Sequence, residues 1–144
     1  MSRIHEQIKK HEGTGPIVDG NFMPYKDSKG LLTIGYGICI EKTGLRPEEA
    51  EYLLRSRISE AEEECLISFS WFSDLESVRQ GVIVDMVFNM GMPRFKGFKK
   101  TIGYMSVGDH QSASIEMLRS RWAVQVGSRA DNLSKAMRTG QWED

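Results

Sequence analysis

His11 to Ile38 read HEGTGPIVDGNFMPYKDSKGLLTIGYGI. This stretch runs from a helix end through a turn-rich loop into a β-like segment, and it carries two acids in different settings. Ile4, Ile8 and Glu12 recur at i, i+4 and i+8, so they share one broad face of a helix predicted over Arg3–Glu12. Ser2 is placed to N-cap that helix and Gly13 to stop it. The spacing puts Glu12 on the inward stripe, at the negative end of the helix dipole, a setting suited to a general acid. Thr14–Pro24 is predicted as loop, with Gly15-Pro16 and Asp19-Gly20-Asn21 as turn signals. Tyr25–Gly30 is polar and ends in glycine, which predicts a hairpin turn carrying Asp27, and Leu31–Ile34 predicts a strand. Gly35 and Gly37 permit close backbone approach. An aspartate in such a turn is, taken alone, a turn-former. Paired with Glu12 it also supplies the two carboxylates, one in apolar and one in polar surroundings, that cleavage of a glycosidic bond requires.

Outward from this stretch the chain turns helical. Pro47 at a first helical position, with Glu48, Glu49 and Glu51 behind it, starts a long helix predicted to Leu66. Its apolar positions are Ala50, Leu53, Leu54, Ile58, Ala61 and Cys65, and Glu60, Glu62, Glu63 and Glu64 form a solvated face. Ser73-x-x-Glu76 reads as a capping box ahead of a helix that is apolar on more than one face, from Leu75 to Met90, and stopped by Gly91 and Pro93. Three shorter helices are predicted after it: about Arg94–Met105, Asp109 as N-cap through Trp122, and Ser128 as N-cap through Arg138 with Gly140 as stop. Trp122 and Trp142 read as core or groove-wall residues. The fold class is therefore α+β, mostly α. A small N-terminal α/β lobe (residues 1–46) is joined by a long helix (47–66) to a helical lobe (67–144), with Glu12 and Asp27 lining an expected cleft.

The bulk numbers exclude several function classes. With 144 residues, 40% hydrophobic and 27% charged, the chain suits one soluble globular domain. A net charge of −1 gives no global pull on nucleic acid or an anionic surface, although the part up to Asp74 sums to −4 and the remainder to +3. Lys96, Lys99 and Lys100 lack the interleaved aromatic pattern of a nucleic-acid binder. Cys39 and Cys65 sit among apolar residues without metal-type spacing and read as free thiols. No metal ligand set and no cofactor motif is present. MSRIHEQIKKHEG lacks the apolar run of a signal peptide, and no stretch approaches a membrane span.

Glu12-Gly13, then Tyr25-Lys26-Asp27-x-x-Gly30-x-x-Thr33-Ile34-Gly35-x-Gly37, resembles the N-terminal lobe of the phage-type lysozymes of the T-even kind, glycoside hydrolase family twenty-four. Ala50-Glu51, Met86-Val87-Phe88-Asn89-Met90-Gly91, Gly97-Phe98, Ser120-Arg121-Trp122 and Arg138-Thr139-Gly140-x-Trp142 follow in that family's order. The resemblance implies a lysozyme-like fold and an endolysin that hydrolyses the β-1,4 bond between N-acetylmuramic acid and N-acetylglucosamine. It implies Glu12, Asp27 and Thr33 as the catalytic set, and Leu32, Phe98, Gln125 and Arg129 as substrate contacts. It implies no cofactor, peptidoglycan glycan strands as partner, a monomer, and synthesis in a host cytoplasm with release to the wall through a holin.

The chain departs from the family pattern at two places. Fourteen residues separate Glu12 from Asp27 where the phage enzymes usually have eight, and the additional ones lie in Thr14–Pro24. Asp19 in that loop is a rival second acid. Ile38 stands where related enzymes often carry a histidine. Three alternatives stay open on sequence: a lytic transglycosylase using Glu12 alone, an inactive peptidoglycan-binding module, and a helical interaction protein.

Overall fold

The computed structural model describes residues 2–143. Its contacts gather into two units that divide within one helix, the first ending at Tyr52 and the second beginning at Leu53.

The first unit opens with α1, Arg3–Glu12. The Ser2 hydroxyl accepts from the His5 N–H at 3.3 Å, and the Gly13 N–H donates to the Lys9 carbonyl at 2.9 Å, so both predicted caps form. The inward stripe does not: Ile4 and Ile8 are 64% and 47% exposed, and α1 buries no residue. The segment Thr14–Pro24 is not plain loop either. Ile17–Val18 (β1) and Asn21–Phe22 (β2) pair antiparallel, with Val18 opposite Asn21. Asp19 and Gly20, at φ 50° and 82°, make the two-residue turn with both φ positive that matches strand twist. The predicted turn signal is thus a hairpin signal, hidden because the strands are only two residues long.

Tyr25–Lys26 (β3) and Leu32–Thr33 (β4) form the second hairpin, with Tyr25 opposite Thr33 and Lys26 opposite Leu32. Asp27 closes its turn. The Gly30 N–H donates to the Asp27 carbonyl at 2.9 Å, and Gly30 at φ 79° supplies the left-handed residue that ends a three-residue hairpin loop. A further reversal follows, in which Ile34 and Ile38 exchange backbone hydrogen bonds of 2.9 and 3.0 Å around Gly35-Tyr36-Gly37. A short helix, α2 (Ile40–Thr43), had no separate sequence signal and packs beside β4.

α3 runs Pro47–Ser68 and begins at Pro47 as predicted. Of its six predicted apolar positions only Ala61 and Cys65 are buried. The capping box Ser73-x-x-Glu76 does not form. Phe72–Asp74 is a 3₁₀ turn, Glu76 becomes the N-cap of α4 (Ser77–Met90), and its carboxylate pairs with Arg79 instead of capping. α4 is the buried central helix expected, with Val82, Ile83, Val84, Met86 and Val87 inside.

The predicted helix Arg94–Met105 is two helices, α5 (Met92–Phe95) and α6 (Lys99–Ser106), interrupted at Gly97-Phe98. The next prediction also splits. α7 (His110–Leu118) is N-capped by Asp109, which accepts from the Ser112 N–H at 3.1 Å, and α8 (Arg121–Val126) is capped by Ser120, which accepts from Ala123 at 3.1 Å. Ser120 is a cap residue inside an apolar-periodic run, and the cap overrode the periodicity. α9 spans Ser128–Thr139 and stops at Gly140 as expected, although Gly127 and not Ser128 is its N-cap. Trp122, 1% exposed, is the largest core residue, and its indole N–H donates to Asn89 Oδ1 at 2.9 Å. Cys39 and Cys65 are free thiols, Cys65 buried.

Candidate active site

Asp27 sits where β3 runs into its turn, and its carboxylate is tied into the backbone. Oδ1 accepts from the Lys29 N–H at 2.8 Å and the Leu31 N–H at 2.9 Å, while the Asp27 N–H donates to the Leu31 carbonyl at 2.9 Å. Both backbone donors converge on one oxygen, which fixes the plane of the carboxylate. Oδ2 makes no hydrogen bond among the described residues. Side chains alternate along a strand, so Tyr25, Asp27 and their partners Thr33 and Leu31 share one face of the hairpin. Asp27 and Thr33 are diagonal neighbours there. Thr33 is 3% exposed, and its hydroxyl donates to the Leu31 carbonyl at 3.1 Å, which leaves the hydroxyl oxygen free to accept. The rival acid Asp19 is exposed at the tip of the β1–β2 hairpin and holds a turn position that favours aspartate on backbone grounds alone.

Glu12, the last residue of α1, is exposed, against the expectation of an inward apolar setting. Its carboxylate makes no hydrogen bond or ion pair among the described residues. It rests on the bare Cα of Gly37: a Cβ built there would stand 2.6 Å from Glu12 Cδ and 2.9 Å from Cγ. Gly37 is at φ 76°, so both its conformation and its missing side chain are used. The Gly-x-Gly pattern that promised close backbone approach is therefore met by a carboxylate.

The predicted substrate contacts fall in different places. Leu32 precedes Thr33 on β4, so by alternation its side chain lies on the face opposite Asp27 and Thr33, and its N–H donates to Glu41 Oε1 at 3.3 Å. The other three belong to the second unit. Phe98 is half-buried in an aromatic row, stacked on Phe95 at 6.1 Å and edge-on to Trp122 at 6.2 Å. It also borders a shallow basin of about 320 Å³ flanked by Lys99, Lys100 and Arg119. Gln125 is exposed, and its side-chain carbonyl accepts from Arg94. Arg129 is engaged by Asp85, with Nε and Nη2 at 2.8 and 2.7 Å from the same Oδ1. That pair lines an apolar groove of about 590 Å³ with Ile58, Val84, Phe88 and Trp142. Sequence reasoning missed the Asp85 partner, as well as Lys9, Phe22 and Tyr36 around the Gly35–Gly37 turn. No cluster of metal-ligating side chains occurs among the described residues.

The β3–β4 hairpin thus carries Asp27 and Thr33, and Glu12 at the end of α1 meets the reversal that follows it. The description of the phage lysozyme family matches residues 11–138, and the chain belongs to that family. It is a lysozyme-like peptidoglycan hydrolase with an α+β fold. Two relatives from Dictyostelium discoideum are similar along almost their whole length. A probable T4-type lysozyme 2 is 27% identical over 97% of this chain and 96% of its own. A probable T4-type lysozyme 1 is 25% identical over the same shares.

Proposed function

We propose that this hydrolase is an N-acetylmuramidase that cleaves the β-1,4 bond between N-acetylmuramic acid and N-acetylglucosamine, and that its role is host-cell lysis. The observation that carries the reading is the shared hairpin face of Asp27 and Thr33, with Glu12 seated on the turn that follows β4. Glu12 acts as the general acid and donates a proton to the leaving glycosidic oxygen. Asp27, oriented by two N–H donors, offers Oδ2 as the base toward water, and the Thr33 oxygen accepts a second hydrogen from that water. The water attacks the anomeric carbon from the face opposite the leaving group, which inverts configuration. No cofactor takes part in this scheme. Leu32, Phe98, Gln125 and Arg129 are proposed as contacts to the glycan strand, with Arg129 acting as a cation already paired to Asp85.

The lysis role includes acting as a single chain, accumulation in a host cytoplasm and passage to the wall once a holin opens the inner membrane. No helix among the described residues is long and apolar enough to cross a membrane. A second reading has one observation behind it. The two backbone bonds to Asp27 Oδ1 are also what a purely structural turn aspartate makes, and a lytic transglycosylase needs only Glu12. Mass spectrometry of the muropeptides released from purified peptidoglycan by wild type, Glu12→Gln and Asp27→Asn separates them, because hydrolysis leaves reducing-end muramic acid and transglycosylation an anhydro end. Loss of activity in both variants supports the muramidase, whereas an active Asp27→Asn overturns the water-activating role.

A further inference from the structure

We infer that Tyr36 is a positioning residue for Glu12, clamped by Lys9 of α1 and by Phe22 of the β1–β2 hairpin. The inference rests on the reading of Glu12 as the acid. A glutamate at an exposed helix end, with three free torsions and no hydrogen-bond partner, spreads over several rotamers. A general acid has to keep its proton within hydrogen-bond reach of one oxygen. What this structure offers in place of a polar partner is a seat, the Cα of Gly37.

That seat is only as well placed as the turn that carries it. Gly35-Tyr36-Gly37 is closed at its base by the Ile34–Ile38 bridge, and its apex residue is Tyr36. The Lys9 ammonium stands 5.2 Å from the centre of the Tyr36 ring, within cation–π range. Lys9 and Glu12 are three residues apart on α1 and therefore neighbours on its surface. Tyr36 and Gly37 are adjacent in the turn. The two contacts, Lys9 to Tyr36 and Glu12 to Gly37, thus register the last turn of α1 against the reversal at two points. One point alone would let the turn pivot.

The third member comes from the lengthened segment. Phe22 meets Tyr36 edge to face, with ring centres 5.1 Å apart and planes at 71°. The hairpin bearing it is itself fixed. The Met23 N–H donates to the Pro16 carbonyl at 2.9 Å, and the Tyr25 ring lies over Gly15, where a Cβ would come within 2.6 Å of Cε1. The additional residues between the two acids therefore form a buttress behind the Glu12 seat. Tyr36 remains partly exposed, so its ring contributes little to the core, and its removal is expected to act on the acid more than on folding.

The test uses the full chain on purified peptidoglycan, with kcat, KM and Tm measured for Tyr36→Ala, Tyr36→Phe, Glu12→Gln and the double variant Glu12→Gln/Tyr36→Ala. Tyr36→Ala is expected to lower kcat by about 10- to 30-fold with KM within about twofold of wild type. Tyr36→Phe keeps the ring and should stay within about twofold of wild type. In the Glu12→Gln background the same alanine should cost less than about twofold, because the group it positions is gone. A rise in KM at unchanged kcat overturns the inference in favour of direct substrate contact. An equal loss in the Glu12→Gln background overturns it in favour of a role independent of the acid. If Tyr36→Ala does not fold, Phe22→Leu and Lys9→Met each remove one clamp and carry the same expectations. A wild type that releases no reducing ends overturns the muramidase reading itself, which none of the Tyr36 outcomes does.

Discussion

Alanine at Gly37 imposes two costs that can be measured apart. The residue is at φ 76°, where an L-residue is strained by about 1–2 kcal/mol. The new Cβ would also stand 2.6 Å from Glu12 Cδ, whereas carbon atoms settle at about 3.5–4.0 Å. The obstructing atoms are the far end of a flexible side chain, so the clash is relieved by the carboxylate retreating roughly 1 Å, cheaply in stability. It is not cheap in rate, because a misplacement of about 1 Å can cost on the order of 10²-fold. Gly35 is the control. It is at φ 66° with nothing within 4 Å of an added methyl, so Gly35→Ala carries the strain without the displacement. Denaturant unfolding should place both variants about 1–2 kcal/mol below wild type. Reducing-end release should fall about 30- to 100-fold for Gly37→Ala and far less for Gly35→Ala. Equal losses of activity in the two would refute the seat and leave general distortion of the turn as the cause, and full activity in Gly37→Ala would refute it outright.

Other substitutions separate chemistry from structure. Asp27→Asn keeps a side-chain oxygen for the Lys29 and Leu31 N–H groups, so it should retain its Tm while losing activity; Asp27→Ala should lose both, with about 1–3 kcal/mol missing in chemical denaturation. Asn89→Leu strands the indole N–H of buried Trp122 and should destabilise by about 1–3 kcal/mol in the same assay. Burial, reinforced by the Arg79 charge, holds the His110 imidazole below its usual pKa, and its Nε2 is buried without a hydrogen-bond partner among the described residues. The unfolded chain then takes up the proton first, so this contribution is complete above about pH 6.5 and is lost as pH falls through the folded value. His110→Gln should flatten the acid limb of the Tm–pH curve. Burial, with Glu64 and Glu62 nearby, pushes the Cys65 thiol up to about 12. Its share of stability is present below about pH 8.5 and lost as pH rises toward the folded value, and iodoacetamide at pH 8 should label Cys65 only after denaturation.

Much of the fold was legible because the local signals were redundant. Ser2 and Gly13 bracket α1, Pro47 opens α3, and α4 is apolar on several faces. The failures share a physical cause, competition between a local cap or turn and a longer pattern. Ser120 caps a new helix inside an apolar run, Gly97-Phe98 interrupts another, and Glu76 prefers Arg79 to its place in a capping box. In the site, the turn carrying Asp27 and the strand carrying Thr33 could be read from turn residues and β-formers, and a hairpin fixes register from its turn. The pairing of Asp27 with Thr33 as a catalytic set came only from the family resemblance. The seat of Glu12 could not be read at all. It depends on Gly37, Tyr36, Lys9 and Phe22 meeting across three segments, and period and propensity carry no information about such meetings. The apolar stripe of Ile4 and Ile8 was real as a pattern, yet it buries nothing in α1, so helical periodicity alone gave the wrong surroundings for the acid.

The central claim is that Glu12 and Asp27 deliver water across a glycosidic bond. Digestion of purified peptidoglycan in ¹⁸O-labelled water, followed by mass spectrometry of the muropeptides, tests it most directly. Wild type is expected to yield reducing-end muramic acid carrying one ¹⁸O, with Glu12→Gln and Asp27→Asn yielding almost none. Unlabelled anhydro-muramic products from wild type, persisting in Asp27→Asn, would contradict it.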